Sequence, residues 1–556
     1  MSDDVNALAA DYYDFRHRMA PTSAHLDGDY RFAGDFEDPS RIAEDAQLAE
    51  DRQFARRAEA IDESGLNAQD RISREMIAWD ATSRADLLSS RMAEYTVNPI
   101  QGIQAMLPVY MPKLSIPSIE IAEAMTSKLR GIGLAFREMA DRLRAGAAGG
   151  RTPAAFAVEA TISQLDAWLA LAIERDPLLN ISQPAGMFEP DAWRSRLRAV
   201  IADEVRPGVL VYRNVLRDEI LPRSRPDEHV GLTWLADGEA AYAAAIRFFT
   251  TVDKSPAEIH EIGRQQVESL AGEYRQLGPA VTGSDDLATI LEALRSDPAL
   301  HHETADQVVA DAKAALDKAK RAMGDWFGIL PKADCDVESA TSGAIAYYFS
   351  PALDGSRGGT FFMNTSDPNG WGRFQVASTA YHEGIPGHHL QLAISTELTT
   401  VPDFRKHAFI AAFGEGWGLY AERLADEMGL YATPLERMGM LSADSMRACR
   451  LVVDTGMHAL GWSRRQAIGY MLENSPMREN HITAEIDRYV VNPGQALAYM
   501  IGRLEIQRIR AAAEARLGDR FEIKAFHDTV LGSGSLPLPI LDRHVNEWLA
   551  AQASPA

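Results

Sequence analysis

Three histidines and one glutamate fall within the eight positions from His382 to His389 of this 556-residue chain. A zinc site that hydrolyses bonds uses two converging imidazoles, a third protein ligand and an open position for water, with a carboxylate beside that water as base. His382 and Glu383 are adjacent, as in the helical His-Glu-x-x-His arrangement. The segment therefore predicts a zinc-dependent hydrolase with one Zn²⁺ per chain, in which Glu383 is the general base.

The second histidine ligand does not stand at the usual spacing. Pro386 is four residues after His382, whereas His388 is six residues away, roughly 9 Å along a regular helix and about 120° off its face. Pro386 removes a backbone donor and Gly387 tolerates unusual dihedral angles, so we expect a looped-out turn that swings His388 back toward His382. On a regular helix, His389 would lie on the same face as His382 but roughly 10 Å further along the helix axis. We therefore expect His389 either to support the ligands from behind or to face the substrate.

The third ligand is expected from a later apolar segment, residues 411–422. Glu415 and Glu422 lie seven residues apart on one side of a predicted helix there. A carboxylate is costly to bury on such a face without a partner, and a metal ion is one such partner. We predict Glu415 as the ligand; Glu422 is the alternative, or instead orients a histidine.

Further residues are candidates for catalysis and for substrate binding. The oxyanion needs a donor besides the metal; Tyr499 is our candidate and His458 is the alternative. Arg447 and Arg450 could take a substrate carboxylate, and an extended peptide could pair with the edge of a predicted strand near residue 347. The predicted substrate-binding residues are Tyr347, Tyr348, Arg357, His389, Gln495 and Arg503.

Helical periodicity covers most of the chain and would supply the elements that position these residues. The clearest helix runs from Ser255 to Leu277, with Ser255 as N-cap and Glu258 completing a capping box. Gly278 and Pro279 are expected to stop it. The pair His301-His302 has no acidic or cysteine partner at ligand spacing, so we expect it at the surface.

The pattern changes near residue 330, where short aromatic runs bounded by turn residues predict strands. Helical signals resume near Gln375. We therefore predict a mainly α fold with a mostly helical lobe over 1–330 and a catalytic lobe over 331–556 that carries the metal-binding helices, the two lobes interleaving. The other predicted elements are amphipathic helices over 125–143 and 309–323, strands over 344–349 and 360–364, and a turn-rich loop over 350–359.

Composition limits the classes of function. Hydrophobic residues make up 46% and charged residues 24%, as in ordinary globular proteins. A net charge of -23 argues against a nucleic-acid partner. Two cysteines exclude a disulfide framework and favour a reducing compartment. The acidic N-terminus and the lack of an apolar run of about 18 residues predict a cytoplasmic protein without a membrane partner, either monomer or homodimer.

The string from His382 to Gln391, HEGIPGHHLQ, resembles a bacterial family known as domain of unknown function 885. Its further hallmarks are Glu415-Gly416-Trp417 with Tyr420 and Glu422, Val453-Asp454-Thr455-Gly456 with His458, Pro493-Gly494-Gln495-Ala496-Leu497 with Tyr499, and Gly534-Ser535-Leu536-Pro537-Leu538. That family is similar to the gluzincin metallopeptidases, including the angiotensin-converting enzyme and neurolysin groups. The resemblance implies a two-lobed helical fold with a deep channel, a small β-sheet near the active site, and zinc held by two histidines and a downstream glutamate. It favours His388 over His389.

The leading hypothesis for function is therefore a zinc peptidase acting on short peptides. A metal-dependent amidase or esterase acting on a small non-peptide substrate would use the same zinc, base and oxyanion donor. A third hypothesis is a metal-free helical scaffold that binds peptides without cleaving them.

Overall fold

A computed structural model describes residues 2–184, 186, 189–341, 343–351 and 357–553. Almost all of the regular structure is helical, and the strands form one small sheet. Positions 352–356 of the predicted turn-rich loop lie outside the described residues.

The helices of the first part of the chain follow one another with short connections, several of which contain 3₁₀ or π turns. They are α1 (Asp3–Met19), α2 (Pro21–Leu26), α3 (Arg41–Glu59), α4 (Ala68–Ser89), α5 (Ile103–Tyr110), α6 (Ile119–Ala148), α7 (Ala155–Leu169), α8 (Pro190–Val200), α9 (Arg206–Val215), α10 (Gly238–Thr250), α11 (Pro256–Val281), α12 (Leu287–Ser296) and α13 (Ala305–Trp326).

Three strands and a second run of helices complete the chain. They are β1 (Cys335–Ala340), β2 (Ala346–Phe349), β3 (Gly359–Asn364), α14 (Gln375–Glu383), α15 (His388–Glu397), α16 (Asp403–Lys406), α17 (Ala411–Glu427), α18 (Pro434–His458), α19 (Arg464–Asn474), α20 (Glu479–Val491), α21 (Ala498–Leu517), α22 (Ile523–Leu531) and α23 (Leu538–Ala553).

The predicted start of α11 is confirmed, and its predicted end is wrong. The Ser255 hydroxyl accepts a hydrogen bond from the backbone N–H of Glu258, whose carboxylate bonds back to Ser255. The helix then runs through Gly278 and Pro279 to Val281. A proline so close to the end removes only one bond of the helix, and a Cβ at Gly278 would collide with Ile290 of α12, so this glycine serves packing rather than termination.

The sheet has the strand order β1-β3-β2, with β1 parallel and β2 antiparallel to β3. The two predicted aromatic runs form β2 and β3. Sequence analysis missed β1, because its residues, CDVESA, are short and largely polar. β2 is an edge strand, so one side of its backbone pairs with no other strand among the described residues.

The largest hydrophobic core takes buried residues from both ends of the chain, from Leu8 in α1 to Leu549 in α23. The core therefore does not divide at residue 330, and helices from the two predicted lobes pack together, as α4 and α23 do and as α11 and α18 do. A second core lies within residues 97–221. The His301-His302 pair is buried rather than exposed, and His302 bonds to Asp311 and to the carbonyl of Trp371.

Both cysteines, Cys335 and Cys449, are buried and free, in agreement with the prediction that the chain has no disulfide framework. Across the described ranges, none of the helices combines the length and apolar character needed to cross a membrane.

Candidate metal centre

The connection between α14 and α15 folds back as the Pro386-Gly387 pair predicts. Helix α14 ends at Glu383, and α15 begins at His388, four residues after Gly384. A Cβ at Gly387 would collide with the carbonyl oxygen of His382, so only glycine allows this close return. The indole N–H of Trp417 donates to the Pro386 carbonyl at 2.8 Å, which ties the turn to α17.

The return places His388 beside His382, and α17 adds Glu415. The two imidazole rings meet edge to face, with centroids 4.7 Å apart. Oε2 of Glu415 lies 3.6 Å from Nε2 of His382 and 3.4 Å from Nε2 of His388. One ligand atom from each of the three residues falls within 4.8 Å of the others. The structure thus brings together the three ligands predicted from the sequence.

Glu422 occupies a different position, behind His382. Its carboxylate accepts from Nδ1 of His382 at 2.8 Å and from the hydroxyl of Ser378 at 2.5 Å. Since a carboxylate only accepts, Nδ1 carries a proton, and Nε2 is the ring nitrogen that is turned toward Glu415. A carboxylate in this position fixes the tautomer and orientation of a metal-binding histidine.

Gly418, between the two glutamates on α17, makes room for the His382 ring. A Cβ at Gly418 would lie 2.7 Å from Cε1 and 2.8 Å from Nε2 of His382. The ring therefore packs directly on the backbone of α17, and Glu422, one turn further along this helix, bonds to its Nδ1.

The interactions within the cluster favour a protonated His382 and an ionised Glu415. Burial disfavours the imidazolium of His382, but its bonds to Glu415 and Glu422 outweigh this and raise its pKa to about 9. Burial of Glu415 is likewise outweighed by His382 and His388, which hold the pKa of this carboxyl well below its usual range. The carboxylate thus keeps its negative charge where a cation would be held.

These residues fit a zinc ion. Ligand atoms about 2.0–2.1 Å from a tetrahedral ion lie about 3.3 Å from one another, close to the distances between Glu415 and the two imidazoles. Two nitrogens and one carboxylate oxygen form a catalytic donor set that leaves a fourth position for water. Nδ1 of His388 is buried and has no hydrogen-bond partner among the described residues, so packing holds this ring.

His389 is excluded as a ligand by its own hydrogen bonds. Its Nε2 donates to the carbonyl of Ala333 at 3.0 Å, and its Nδ1 accepts from the hydroxyl of Tyr348 at 2.8 Å. Burial lowers its pKa to about 4, so the ring is neutral. Both nitrogens are used, and His389 and Tyr348 link α15 to β2 instead of presenting free polar atoms to a substrate. A Cβ at Gly359 would collide with this pair.

Tyr499 lies beside the cluster. Its ring stacks on that of His382, with centroids 6.4 Å apart and 20° between the planes. Two arginines also lie over the tyrosine ring, with Cζ of Arg450 4.3 Å and Cζ of Arg447 5.7 Å from its centroid. Burial and the charge of Glu415 raise the pKa of Tyr499, which keeps its hydroxyl protonated and able to donate.

Gln495, four residues before Tyr499, bonds to a neighbouring arginine. Its Oε1 accepts from Nη1 of Arg488 at 2.5 Å. A hydrogen bond between the Gln495 side chain and Tyr499 opposes the rise in the pKa of this tyrosine, so Gln495 borders Tyr499 as well.

Two candidate residues have structural roles in place of the predicted ones. His458 donates from Nε2 to the carbonyl of Tyr489 and accepts at Nδ1 from the N–H of Leu232. Burial lowers its pKa to about 3, so it is neutral and has no N–H left for an oxyanion. Arg503 bonds to Asp444 at 2.8 Å and to Gln266 at 3.0 Å, so both of its terminal nitrogens belong to a buried network.

Two residues of the sheet region that were predicted to bind substrate, Tyr347 and Arg357, make other contacts in the structure. Tyr347 alternates with Tyr348 along β2, and its ring stacks on Phe362 with centroids 5.1 Å apart, away from His389. Arg357 is exposed, and its guanidinium donates to the carbonyls of Ser350 and Gly358 in its own loop.

Sequence analysis did not single out Ser378 and Gly418. A spacing signal existed for each of them. Ser378 stands one helical turn before His382, and Gly418 lies on the α17 face between Glu415 and Glu422.

Comparisons with known proteins identify relatives but no activity. Residues 21–545 match the family described as "Bacterial protein of unknown function (DUF885)". A candidate lipoprotein from Colwellia psychrerythraea has a similar crystal structure, with a TM-score of 0.89 and 25% identity over 98% of this chain and 99% of that one. A candidate lipoprotein of unknown function from Shewanella oneidensis has a TM-score of 0.76 and 18% identity, over 96% and 98% of the chains. Curated proteins yield no match.

Proposed function

We propose that this chain, which belongs to the DUF885 family of bacterial proteins of unknown function, is a zinc-dependent hydrolase of peptide bonds that acts on short peptides. His382, His388 and Glu415 would hold the ion. Glu383 would be the general base.

One observation carries the proposal: two imidazole nitrogens and a carboxylate oxygen converge within 4.8 Å, and Glu422 fixes the tautomer of one imidazole. A buried histidine that only packs has no need of a carboxylate on each side of its ring. Both carboxylates face the same imidazole, one at Nδ1 and one at Nε2. This is the pattern expected of a metal ligand with its supporting partner.

Zinc held there would polarise the scissile carbonyl and lower the pKa of water. Glu383 follows His382 at the end of α14, is partly exposed, and has no ion pair or hydrogen bond to its carboxylate among the described residues. It is therefore free to accept a proton from water and to deliver it to the leaving amine.

Tyr499 would donate to the oxyanion. Its protonated hydroxyl belongs to a ring stacked beside His382, and a preorganised donor next to the ion is what the developing negative charge needs.

The substrate would lie along β2. Along one edge of this strand no other strand pairs with it in the described part of the chain, and Tyr348 joins it to His389, the neighbour of the proposed ligand His388. Backbone pairing at an edge strand holds an extended peptide without regard to its side chains. The proposal includes the two-lobed, gluzincin-like arrangement with an access channel, which would limit substrates to short peptides.

The cellular location belongs to the proposal as well. The free, buried cysteines agree with a reducing cytoplasm, whereas the two similar structures are of candidate lipoproteins. Fractionation of cells producing the natural protein decides between the two: recovery with the membrane fraction contradicts the cytoplasmic prediction.

The direct test is Glu383→Gln in the zinc-loaded protein, assayed with a mixture of short peptides. We expect turnover to fall by about 10²–10⁴-fold, while zinc content stays unchanged. Glu473→Gln, at an exposed position in α19, is the matched control and should keep full activity. Full activity of Glu383→Gln would contradict the assignment of the base. Hydrolysis of small amides or esters, with no peptide cleaved, would contradict the proposed substrate.

A further inference from the structure

A group of buried arginines lies one aromatic ring away from the candidate metal ligands. Arg447 and Arg450 stand one turn apart on α18 and lie over the ring of Tyr499, which also stacks on His382. Arg488 of α20 borders the same place through Gln495. The Arg450 side chain is only 5% exposed, so its charge must be balanced locally.

The neighbouring carboxylates do not take all the hydrogen bonds that these three arginines can donate. Glu485 accepts from both Arg450, at 2.7 Å, and Arg488, at 2.9 Å. Glu422 lies 3.9 Å from Arg447, but its oxygens already accept from His382 and Ser378. Glu485 is thus shared by two guanidinium groups, and the hydrogen bonds of Glu422 go to His382 and Ser378 rather than to Arg447.

Two N–H groups in this place also lack acceptors. Nη1 of Arg450 and Nε of Arg447 are buried, and neither has a hydrogen-bond partner in the part of the chain that the structure describes. Buried guanidinium N–H groups are costly to leave unpaired. An anion with two oxygens would accept from both donors, and a carboxylate matches the planar donor geometry of arginine.

We propose that Arg450 and Arg447 bind the free α-carboxylate of the substrate, so that the enzyme acts near the C-terminus of short peptides with an unblocked end. This inference rests on the proposed function. In the reaction the C–N bond breaks, water supplies hydroxyl to the acyl carbon and a proton to the amine, and no redox change occurs. The carboxylate remains on the leaving amino acid or dipeptide, so the arginines bind one product as well.

A purely structural role for Arg450 makes a different prediction. If it only held the Tyr499 ring in place, its loss would lower kcat for every substrate alike. A carboxylate contact instead raises KM for peptides with a free C-terminus and leaves amidated peptides unaffected. Comparing the two kinds of peptide therefore separates the two roles.

The experiment uses the full zinc-loaded chain with a library of N-acetylated tripeptides, supplied once as free acids and once as C-terminal amides. We expect the wild type to cleave the acids with a kcat/KM at least about tenfold higher, in keeping with a charge-assisted hydrogen bond. Arg450→Gln and Arg447→Gln should each lose most of this preference through KM. Arg437→Gln, an exposed position of α18 paired with Asp426, should retain it.

Equal cleavage of acids and amides by the wild type would overturn the inference and leave the proposed function intact. An equal loss on both libraries in the arginine variants would also overturn it. If neither library is cleaved, the proposed function fails, and the carboxylate site is judged by calorimetric titration of zinc-loaded Glu383→Gln with the same peptides. Tighter binding of the acids than of the amides supports the site, and equal binding overturns it. Should Arg450→Gln not fold, Arg447→Gln and the wild-type comparison still decide.

Discussion

Two adjacent histidines acquire opposite roles from their surroundings. Nε2 of His388 faces Glu415, whereas both ring nitrogens of His389 form hydrogen bonds, one with the carbonyl of Ala333 and one with the hydroxyl of Tyr348. The residue types alone leave this choice open, because either imidazole is a competent ligand. The hydrogen-bond partners of the ring nitrogens distinguish the two histidines. The carbonyl of Ala333 and the hydroxyl of Tyr348 come from distant parts of the chain that no local pattern identifies.

Glu422 provides a prediction at this scale. Replacement by Gln keeps the shape but leaves one oxygen to serve two donors, Nδ1 of His382 and the hydroxyl of Ser378. We expect zinc affinity to fall about 10–100-fold, as for other partners of metal-binding histidines. Competition with a zinc chelator measures the change. Glu427→Gln, at the last residue of α17 and paired with Arg510, is the control. An unchanged zinc affinity in Glu422→Gln would show that Glu422 does not support the site.

At the scale of elements, the centre depends on one helix break and one close helix contact. The break between α14 and α15 follows from Pro386 and Gly387 and was predictable from sequence. The packing of α17 on α14 was not, because it depends on Gly418 meeting His382 across 36 positions of the chain. The prediction that α11 ends at Gly278 was wrong for the same reason: the sequence does not show which helix packs against this glycine. A glycine can be a close contact point between helices as well as the end of one.

Gly418→Ala tests that helix contact. Alanine favours a helix more than glycine by about 1 kcal/mol, so α17 itself should not suffer. Its Cβ would nevertheless clash with the His382 ring. The hydrogen bond from Nδ1 to Glu422 limits how far this ring can move away. We expect zinc affinity to fall by about tenfold or more, because a displaced ligand binds its ion poorly. Gly272→Ala in α11, where a Cβ meets open space, should leave zinc affinity unchanged. Equal affinities in both variants would contradict the proposed contact.

At the scale of the whole molecule, the ends of the chain close around one core, so helices distant in sequence support the centre together. Helical periodicity predicts the individual elements well but cannot assign their partners, and the expected division at residue 330 does not follow the core. Buried charges in this core couple its stability to pH. Asp51 of α3 is fully buried, 3.8 Å from Arg16 and without a hydrogen-bond partner among the described residues.

Asp51 should make the fold more stable at lower pH over a defined window. Burial, opposed in part by Arg16, raises its pKa to about 7, compared with about 4 in an unfolded chain. The folded state then holds more protons between these values, so this contribution to stability is present near pH 4 and is lost as pH rises to 7. We expect Asp51→Asn to gain about 1–3 kcal/mol relative to wild type between pH 5 and pH 8.

Unfolding curves at the two pH values measure that gain. Asp45→Asn, on the exposed side of the same helix, should show no such change. A difference between Asp51→Asn and wild type that is the same at both pH values would show that Asp51 is already ionised in the folded protein.

The central claim is that His382, His388 and Glu415 hold a zinc ion. Elemental analysis of the purified wild type, His388→Ala and His389→Ala tests it most directly. We predict one zinc per chain in the wild type and in His389→Ala, and loss of zinc in His388→Ala. A wild type that takes up no zinc, or a site lost in His389→Ala and kept in His388→Ala, would contradict the account.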